Sequence, residues 1–139
     1  MANTITILLA DDDPEDQDIL KEIFLEEDPD ISLHCVMNGK EVIAYLKSCP
    51  EQQLPRLIIL DFKMPIMNAI ETLESLKDNA RYSEIITVVW STSNQKEHIK
   101  QCMERGAIQF FQKPGNYRDL AGIARQILEI LFNGRVKKQ

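Results

Sequence analysis

The chain has 139 residues, enough for one domain that buries roughly two-thirds of its unfolded surface. Hydrophobic residues make up 44% and charged residues 27%, which argues against a disordered or fibrous protein. The formal net charge is −6, and the basic residues are scattered apart from a short run at 135–138, so we expect no nucleic-acid partner.

The cysteines and the N-terminal segment indicate the cellular compartment. Cys35, Cys49 and Cys102 are odd in number and have no CxxC spacing, so we expect reduced, mostly buried thiols rather than disulfides or a zinc site. The segment after Met1 has no basic region, and no apolar stretch approaches the roughly 20 residues that span a bilayer. We therefore expect a cytoplasmic protein with no membrane partner.

Short apolar runs rich in β-formers alternate with stretches of helical period along the whole chain. In chain order, the predicted strands are 5–10, 31–37, 57–60, 85–90 and 108–112. A helix with an apolar stripe follows each strand, as in Leu20, Ile23 and Phe24 after the first. This alternation implies parallel strands joined by right-handed crossovers. The predicted fold class is therefore α/β, a three-layer sandwich with helices on both faces of the sheet.

Carboxylates close two of the predicted strands. Asp11, Asp12 and Asp13 directly follow the first strand, and Asp61 follows the third. Because the carboxyl ends of neighbouring parallel strands share one edge of the sheet, we expect Asp11, Asp12 and Asp61 to converge there. Carboxylates this close to one another either take up protons or hold a hard cation, and we expect Mg²⁺.

The later strands add a hydroxyl and an ammonium group to the same edge. Ser91 comes at the end of the fourth strand and Lys113 at the end of the fifth. Oxygen ligands with a metal, a hydroxyl donor and a lysine are the groups that phosphoryl transfer needs, because that chemistry depends mostly on positioning and charge neutralisation. Asp61 can itself accept a phosphoryl group.

These motifs resemble those of response-regulator receiver domains. The resemblance covers nearly the whole chain and is strongest in the segments LLADDDP at 8–14, ILDFKMP at 59–65 and FQKP at 111–114. It implies a flavodoxin-like, doubly wound (βα)5 sheet of strand order 2-1-3-4-5. It also implies a single receiver domain over 1–139, with a core of about 4–132 and a tail at 133–139.

The resemblance implies an acceptor and a set of metal ligands. Asp61 would be phosphorylated by a sensor histidine kinase or a phosphotransfer protein. Asp12 would bind Mg²⁺ directly, Asp11 would act through water, and the backbone carbonyl of Lys63 would be a further ligand beside Asp61. The side chain of Lys63 occupies a place that tunes how fast the acyl phosphate hydrolyses.

The resemblance also implies a conformational switch. Ser91 would be the switch hydroxyl, Phe110 the switch aromatic and Lys113 the residue that contacts the phosphoryl group, with a cis peptide before Pro114. Movement of Ser91 would change the surface formed by the fourth helix, the fifth strand and the fifth helix. Such a signalling protein is not an enzyme in the usual sense, since it acts only on its own phosphorylation and dephosphorylation.

Several of these residues also have plain structural interpretations. Asp13, next to Pro14, is expected to be a helix N-cap rather than a ligand. Asp61 alone would be a turn residue, and Ser91 alone would cap the turn after its strand. Phe110 would be a core aromatic, or core and switch at once. Finally, two histidines are expected to be surface or hydrogen-bonded residues and receive no role: His34 and His98.

Two features depart from the family pattern. Asn68-Ala69 stands where the family commonly has Asp-Gly, so either the loop after Asp61 takes a different path or Asn68 supplies the left-handed residue. Ser91 replaces the more usual threonine, which keeps the hydroxyl but loses the branch that stiffens χ1.

Two other functions remain open at this point. A haloacid-dehalogenase-type hydrolase would also use an aspartyl nucleophile with Mg²⁺, but Pro14 directly follows the acids and no late acidic pair is present. A non-phosphorylated adaptor of the same fold is the second alternative, which the intact set of Asp11, Asp12, Asp61 and Lys113 argues against.

The C-terminal part of the sequence suggests how the signal leaves the domain. Because the last predicted helix ends near Phe132, we expect no fused output domain and a downstream protein target in trans. The apolar stripe of that helix is compatible with a homodimer. The segment 113–120 resembles stand-alone regulators paired with bacteriophytochrome-type kinases.

Overall fold

The computed structural model describes the backbone of residues 4–137 and the side chains of residues 4–133. Its strands are β1 (Ile5–Ala10), β2 (Ile31–Val36), β3 (Leu57–Asp61), β4 (Ile86–Ser91) and β5 (Gln109–Gln112). Its α-helices are α1 (Pro14–Glu27), α2 (Gly39–Ser48), α3 (Ala69–Lys77), α4 (Lys96–Glu104) and α5 (Tyr117–Lys137), with a short 3₁₀ helix at Glu51–Gln53.

The strands form one parallel sheet of order β2-β1-β3-β4-β5, which confirms the expected flavodoxin-like α/β fold. The central strands β1 and β3 are hydrogen-bonded on both sides, and all residues of β3 are buried. Ala10 pairs with Leu60, and Asp61 pairs with Trp90. This register brings the ends of β1, β3 and β4 to one level along the same edge.

Two hydrophobic layers cover the sheet, one on each face. Alternate residues of β1 divide between them: Ile7 and Leu9 pack towards α1 and α5, whereas Leu8 and Ala10 pack towards α2, α3 and α4. All four side chains are fully buried. The three cysteines are free thiols, as expected, and two of them are buried.

The helix starts follow from short polar side chains. The side chain of Asp13 accepts a hydrogen bond from the backbone N–H of Glu15 at 2.9 Å, and Pro14 is the first helical residue, which confirms the N-cap prediction for α1. Asn68 caps α3 in the same way and forms a reciprocal capping box with Glu71.

Two alternatives were predicted for the loop between β3 and α3: a changed path or a left-handed Asn68. The structure shows the changed path. The left-handed residue is Ile66, with φ 70°, whereas Asn68 has φ −85° because its side chain is used as the cap. The N–H of Met67 donates to the carbonyl of Pro65 at 2.6 Å, so Ile66 is the centre of a three-residue turn. The loop therefore takes a path that places a β-branched residue at positive φ.

Two further expectations were wrong. No cis peptide occurs among the described residues, so the peptide before Pro114 is trans. The last helix does not end near Phe132 but continues to Lys137, since one glycine, at position 134, costs a helix only about 1 kcal/mol. Within the described part of the chain, no helix has the length and apolar character needed to cross a membrane.

Candidate functional site

Three carboxylates meet at the carboxyl edge of the sheet, as the sequence predicts. Asp11, Asp12 and Asp61 each offer an oxygen, and these oxygens all lie within 4.8 Å of one another. Asp11 is fully buried, Asp61 is 7% exposed, and Asp12 is open to solvent. The cluster therefore has a buried floor and one exposed acid at its mouth.

Lys113 also lies in this cluster. Its Nζ is 2.9 Å from Oδ2 of Asp11 and 3.5 Å from Oδ2 of Asp61, and its side chain is only 10% exposed. Nζ also lies 4.6 Å from the centre of the Trp90 ring, within the range of a cation–π interaction. The ammonium group is thus fixed between the acids and an indole ring.

Hydrogen bonds from the start of α1 fix the first acid. The backbone N–H of Asp13 donates to Oδ1 of Asp11 at 2.9 Å. The side-chain amide of Gln17 donates to the backbone carbonyl of Asp11 at 2.6 Å and to that of Val36 at 3.2 Å. The helix that follows β1 therefore holds Asp11 against the end of β2.

The buried acids are held in an unfavourable environment for negative charge. Burial raises the pKa of Asp61 to about 7, and the nearby charge of Asp11 adds to this effect, whereas Lys113 opposes it. Burial likewise raises the pKa of Asp11. Burial acts to lower the pKa of Lys113, but hydrogen bonds to its acidic neighbours outweigh it and raise that pKa. A divalent cation would relieve this concentration of negative charge.

The donor atoms suit a hard divalent cation such as Mg²⁺. All three groups that the structure brings together are carboxylates, which are hard oxygen ligands, and no histidine or cysteine is among them. Asp12 at the mouth and Asp61 and Asp11 below it would hold the ion. The side chain of Lys63, two residues after Asp61, is exposed, and ligation by its backbone carbonyl stays a prediction.

Ser91 and Phe110 lie near the site without belonging to the acid cluster. Ser91 is 1% exposed, and its hydroxyl accepts a hydrogen bond from the N–H of Ser93 at 3.1 Å, which is the turn-capping interpretation. Phe110 packs on the α2–α4 side of the sheet, 6.3 Å from the ring of Phe62. The switch roles of both residues stay predictions.

Neither histidine belongs to the group of acids suited to a cation. His34 stacks on Tyr45 at 4.2 Å, and His98 of α4 stacks on Phe62 at 4.3 Å. His98 is half-buried; its Nδ1 is buried and has no hydrogen-bond partner among the described residues. Phe62 directly follows Asp61, so this ring contact connects the acid site to α4.

Sequence reasoning missed two contacts of Lys113. Oδ2 of Asp16 lies 2.9 Å from Nζ, as close as Asp11, and the Trp90 ring lies beside the same group. Asp16 is in the first turn of α1, and helical side chains point back towards the N-terminus of their helix. That rule, applied to the helix after the three aspartates, would have directed Asp16 to the site.

Comparisons with known proteins agree with this geometry. The model of the response regulator receiver domain matches residues 7–125. The two-component response regulator ORR5 of Oryza sativa subsp. japonica is 30% identical over 88% of this chain and 87% of its own length. The nitrate/nitrite response regulator protein NarL of Escherichia coli is 35% identical over 83% of this chain and 50% of its own.

Solved structures give the same result. The phosphorylated cyanobacterial phytochrome response regulator RcpA has a TM-score of 0.84 and 26% identity, covering 93% of this chain and 94% of that one. The Mn(2+)-bound form of response regulator Rcp1 has a TM-score of 0.78 and 26% identity, covering 88% and 91%. The first of these agrees with the predicted resemblance to phytochrome-associated regulators. The chain therefore belongs to the response regulator receiver domain family of two-component systems.

Proposed function

We propose that this receiver domain accepts a phosphoryl group on Asp61, in a reaction that requires Mg²⁺. The observation that supports this most strongly is the gathering of three carboxylates within 4.8 Å of one another, with the Lys113 ammonium 3.5 Å from the acceptor. Within the receiver family, the usual phosphodonor is a histidine kinase or a phosphotransfer protein, and we propose the same class of donor here.

The chemistry follows from the charges on the page. A carboxylate oxygen of Asp61 attacks the phosphorus of a phosphohistidine, the P–N bond breaks, and the imidazole leaves with the electron pair and takes up a proton. Lys113 neutralises negative charge on the transferred group, and its low exposure strengthens that interaction. Bound Mg²⁺, held by Asp11, Asp12, Asp61 and the Lys63 carbonyl, would supply further charge neutralisation at the phosphoryl oxygens.

We further propose that phosphorylation changes the surface of α4, β5 and α5. The hydroxyl of Ser91, which accepts a hydrogen bond from the N–H of Ser93, would turn to donate its own proton to the new phosphoryl oxygen, acting as the switch hydroxyl. The rings of Phe62, His98 and Phe110 support this route, since they form a chain of contacts from the residue after Asp61 to α4 and β5.

The remaining parts of the proposal concern organisation and partners. We propose that residues 1–139 act as one receiver domain, which the two core clusters on a shared sheet support. A separate downstream protein, a homodimer and a cytoplasmic location stay predictions from the sequence. Self-catalysed dephosphorylation belongs to the same proposal.

Incubation with acetyl phosphate and Mg²⁺, followed by intact-mass measurement, tests the phosphoacceptor role. The expected result is a single phosphoryl adduct that requires Mg²⁺ and is absent from Asp61→Asn. Release of inorganic phosphate without any adduct would instead indicate a hydrolase, and neither adduct nor turnover would indicate an adaptor that only binds. The matched control is Asp13→Asn, because Asp13 is an exposed helix cap whose amide oxygen can still accept the capping bond.

A further inference from the structure

Asp16 contacts the catalytic lysine but lies outside the group of acids suited to the cation. Its Oδ2 is 2.9 Å from Nζ of Lys113, and its side chain is 26% exposed. We propose that Asp16 is a positioning residue: it holds the Lys113 ammonium beside Asp61 while the other acids bind Mg²⁺. This inference rests on the proposed phosphoacceptor function.

The three hydrogen-bond donors of an ammonium group explain why a second anchor matters. Nζ is within hydrogen-bonding distance of Asp11 and Asp16, and Asp61 lies slightly farther away at 3.5 Å. Two short contacts define the position of Nζ and leave one N–H for the acceptor side of the site. With a single anchor, the flexible four-carbon stem of lysine allows more positions.

Binding of a cation makes Asp16 the more important anchor. Asp11 and Asp61 belong to the set of acids that can hold the ion, whereas Asp16 does not. A cation that Asp11 holds through water competes with Lys113 for the same carboxylate and repels its ammonium group. Asp16 is the carboxylate partner of Lys113 in the described structure that does not take part in this competition.

Trp90 forms the other side of the lysine-binding position. Its ring is 1% exposed, and Nζ of Lys113 lies 4.6 Å from the ring centre. The indole ring limits movement of the ammonium group away from the acids. Because Trp90 is the only tryptophan of the chain, its fluorescence reports directly on changes beside Lys113.

The sign of the effect follows from these contacts. Without Asp16, Lys113 is held only by Asp11 and Asp61, which are the acids that the cation needs. The site also loses one negative charge. Both changes weaken cation binding, so Asp16→Ala should raise the apparent dissociation constant for Mg²⁺ several-fold and slow labelling by acetyl phosphate at a fixed, subsaturating Mg²⁺ concentration.

The experiment is a Mg²⁺ titration of the full chain followed by Trp90 fluorescence, with labelling by acetyl phosphate as the second readout. Glu15→Ala is the matched control, because Glu15 is an exposed acid in the same first turn of α1 and only its backbone is used, in the cap of the helix. Asp16→Asn is the conservative variant, since it keeps an oxygen that can accept from Nζ, and it should fall between wild type and Asp16→Ala.

The same titrations in a Lys113→Ala background separate positioning from a general charge effect. If Asp16 acts through Lys113, removal of Asp16 should lower Mg²⁺ affinity much less in that background, because only the loss of one negative charge remains. An undiminished effect there, or equal affinities for Asp16→Ala and Glu15→Ala in the wild-type background, would overturn the inference. Failure to label wild type at Asp61 would instead count against the proposed function, because the fluorescence titration does not depend on phosphorylation.

Discussion

Replacement of the acceptor by its neutral isostere should stabilise the protein when no divalent cation is present. Asp61 is buried next to Asp11, and its pKa is raised from 3.8 to about 7, so folding disfavours its ionised form. Asp61→Asn removes that charge and keeps the shape of the side chain. Lys113 retains Asp11 and Asp16 as partners at 2.9 Å, so the variant leaves no unpaired ammonium group.

The pKa of Asp61 gives the size and the pH dependence of this effect. Well below pH 3.8 the carboxyl group is protonated in both the folded and the unfolded chain, and its burial costs no stability. As the pH rises from 3.8 to about 7, only the unfolded chain loses the proton, so the stability of wild type falls. At about 1.4 kcal/mol for each tenfold change in proton affinity, the upper bound of the loss is about 4 kcal/mol.

Urea denaturation of wild type and Asp61→Asn in EDTA, at several pH values between about 4 and about 8, measures this directly. We expect the variant to be more stable by at least about 1 kcal/mol at pH 8, with the difference shrinking towards pH 4. Added Mg²⁺ should stabilise wild type more than the variant. A variant that is less stable than wild type at pH 8 in EDTA, or a difference independent of pH, would refute the reasoning.

Three further predictions concern the rest of the fold. Gly39→Ala should cost roughly 1–3 kcal/mol in urea denaturation, because its Cβ would lie 1.9 Å from Oγ1 of Thr72; unchanged stability would contradict this packing. Ile66→Gly should raise the free energy of unfolding by roughly 0.5–1 kcal/mol, since Ile66 has φ 70° and its side chain is 75% exposed. A lower melting temperature of the variant would argue against backbone strain at Ile66. Arg81→Ala should lower the free energy of unfolding by roughly 1–3 kcal/mol, because Arg81 donates a hydrogen bond to the backbone carbonyl of Leu46 at 3.0 Å. Amide hydrogen exchange should increase at the end of α2 in this variant.

The fold and the acid cluster could be predicted from the sequence because both depend on chain order. Alternation of apolar runs and helical stretches leaves few arrangements, and a parallel sheet brings the ends of its strands to one edge. That rule alone predicts that Asp11 and Asp61 lie close together. Lys113 followed in the same way from its place after β5.

Other features depend on side-chain direction and loop geometry, which the sequence pattern does not contain. Asp16 reaches Lys113 because the first turn of α1 directs it back towards the sheet edge, 97 residues away in sequence. The position of positive φ fell on Ile66 rather than Asn68, because the cap of α3 uses the asparagine side chain. A preference for Asn or Gly at such positions is a tendency, and the capping requirement outweighed it here.

Trp90 shows a different limit. A tryptophan in a buried strand is expected to be a core residue, and Trp90 is indeed 1% exposed and packed with the α1–α5 layer. Its contact with Lys113 arises because Trp90 pairs with Asp61 in the register of β3 and β4, at the level of the site. Predicting the contact of Trp90 with Lys113 requires the register of β3 and β4, whereas the sequence pattern indicates only the approximate ends of the strands.

A crystal structure of the protein with Mg²⁺ and beryllium fluoride, a mimic of the phosphoryl group, tests the site most directly. We predict beryllium fluoride on a carboxylate oxygen of Asp61, one Mg²⁺ bound through Asp12 and Asp61, and Nζ of Lys113 in contact with a fluorine atom. Beryllium fluoride bound elsewhere, or a Lys113 side chain turned away from Asp61 with the acids empty of metal, would contradict the proposed phosphoacceptor site.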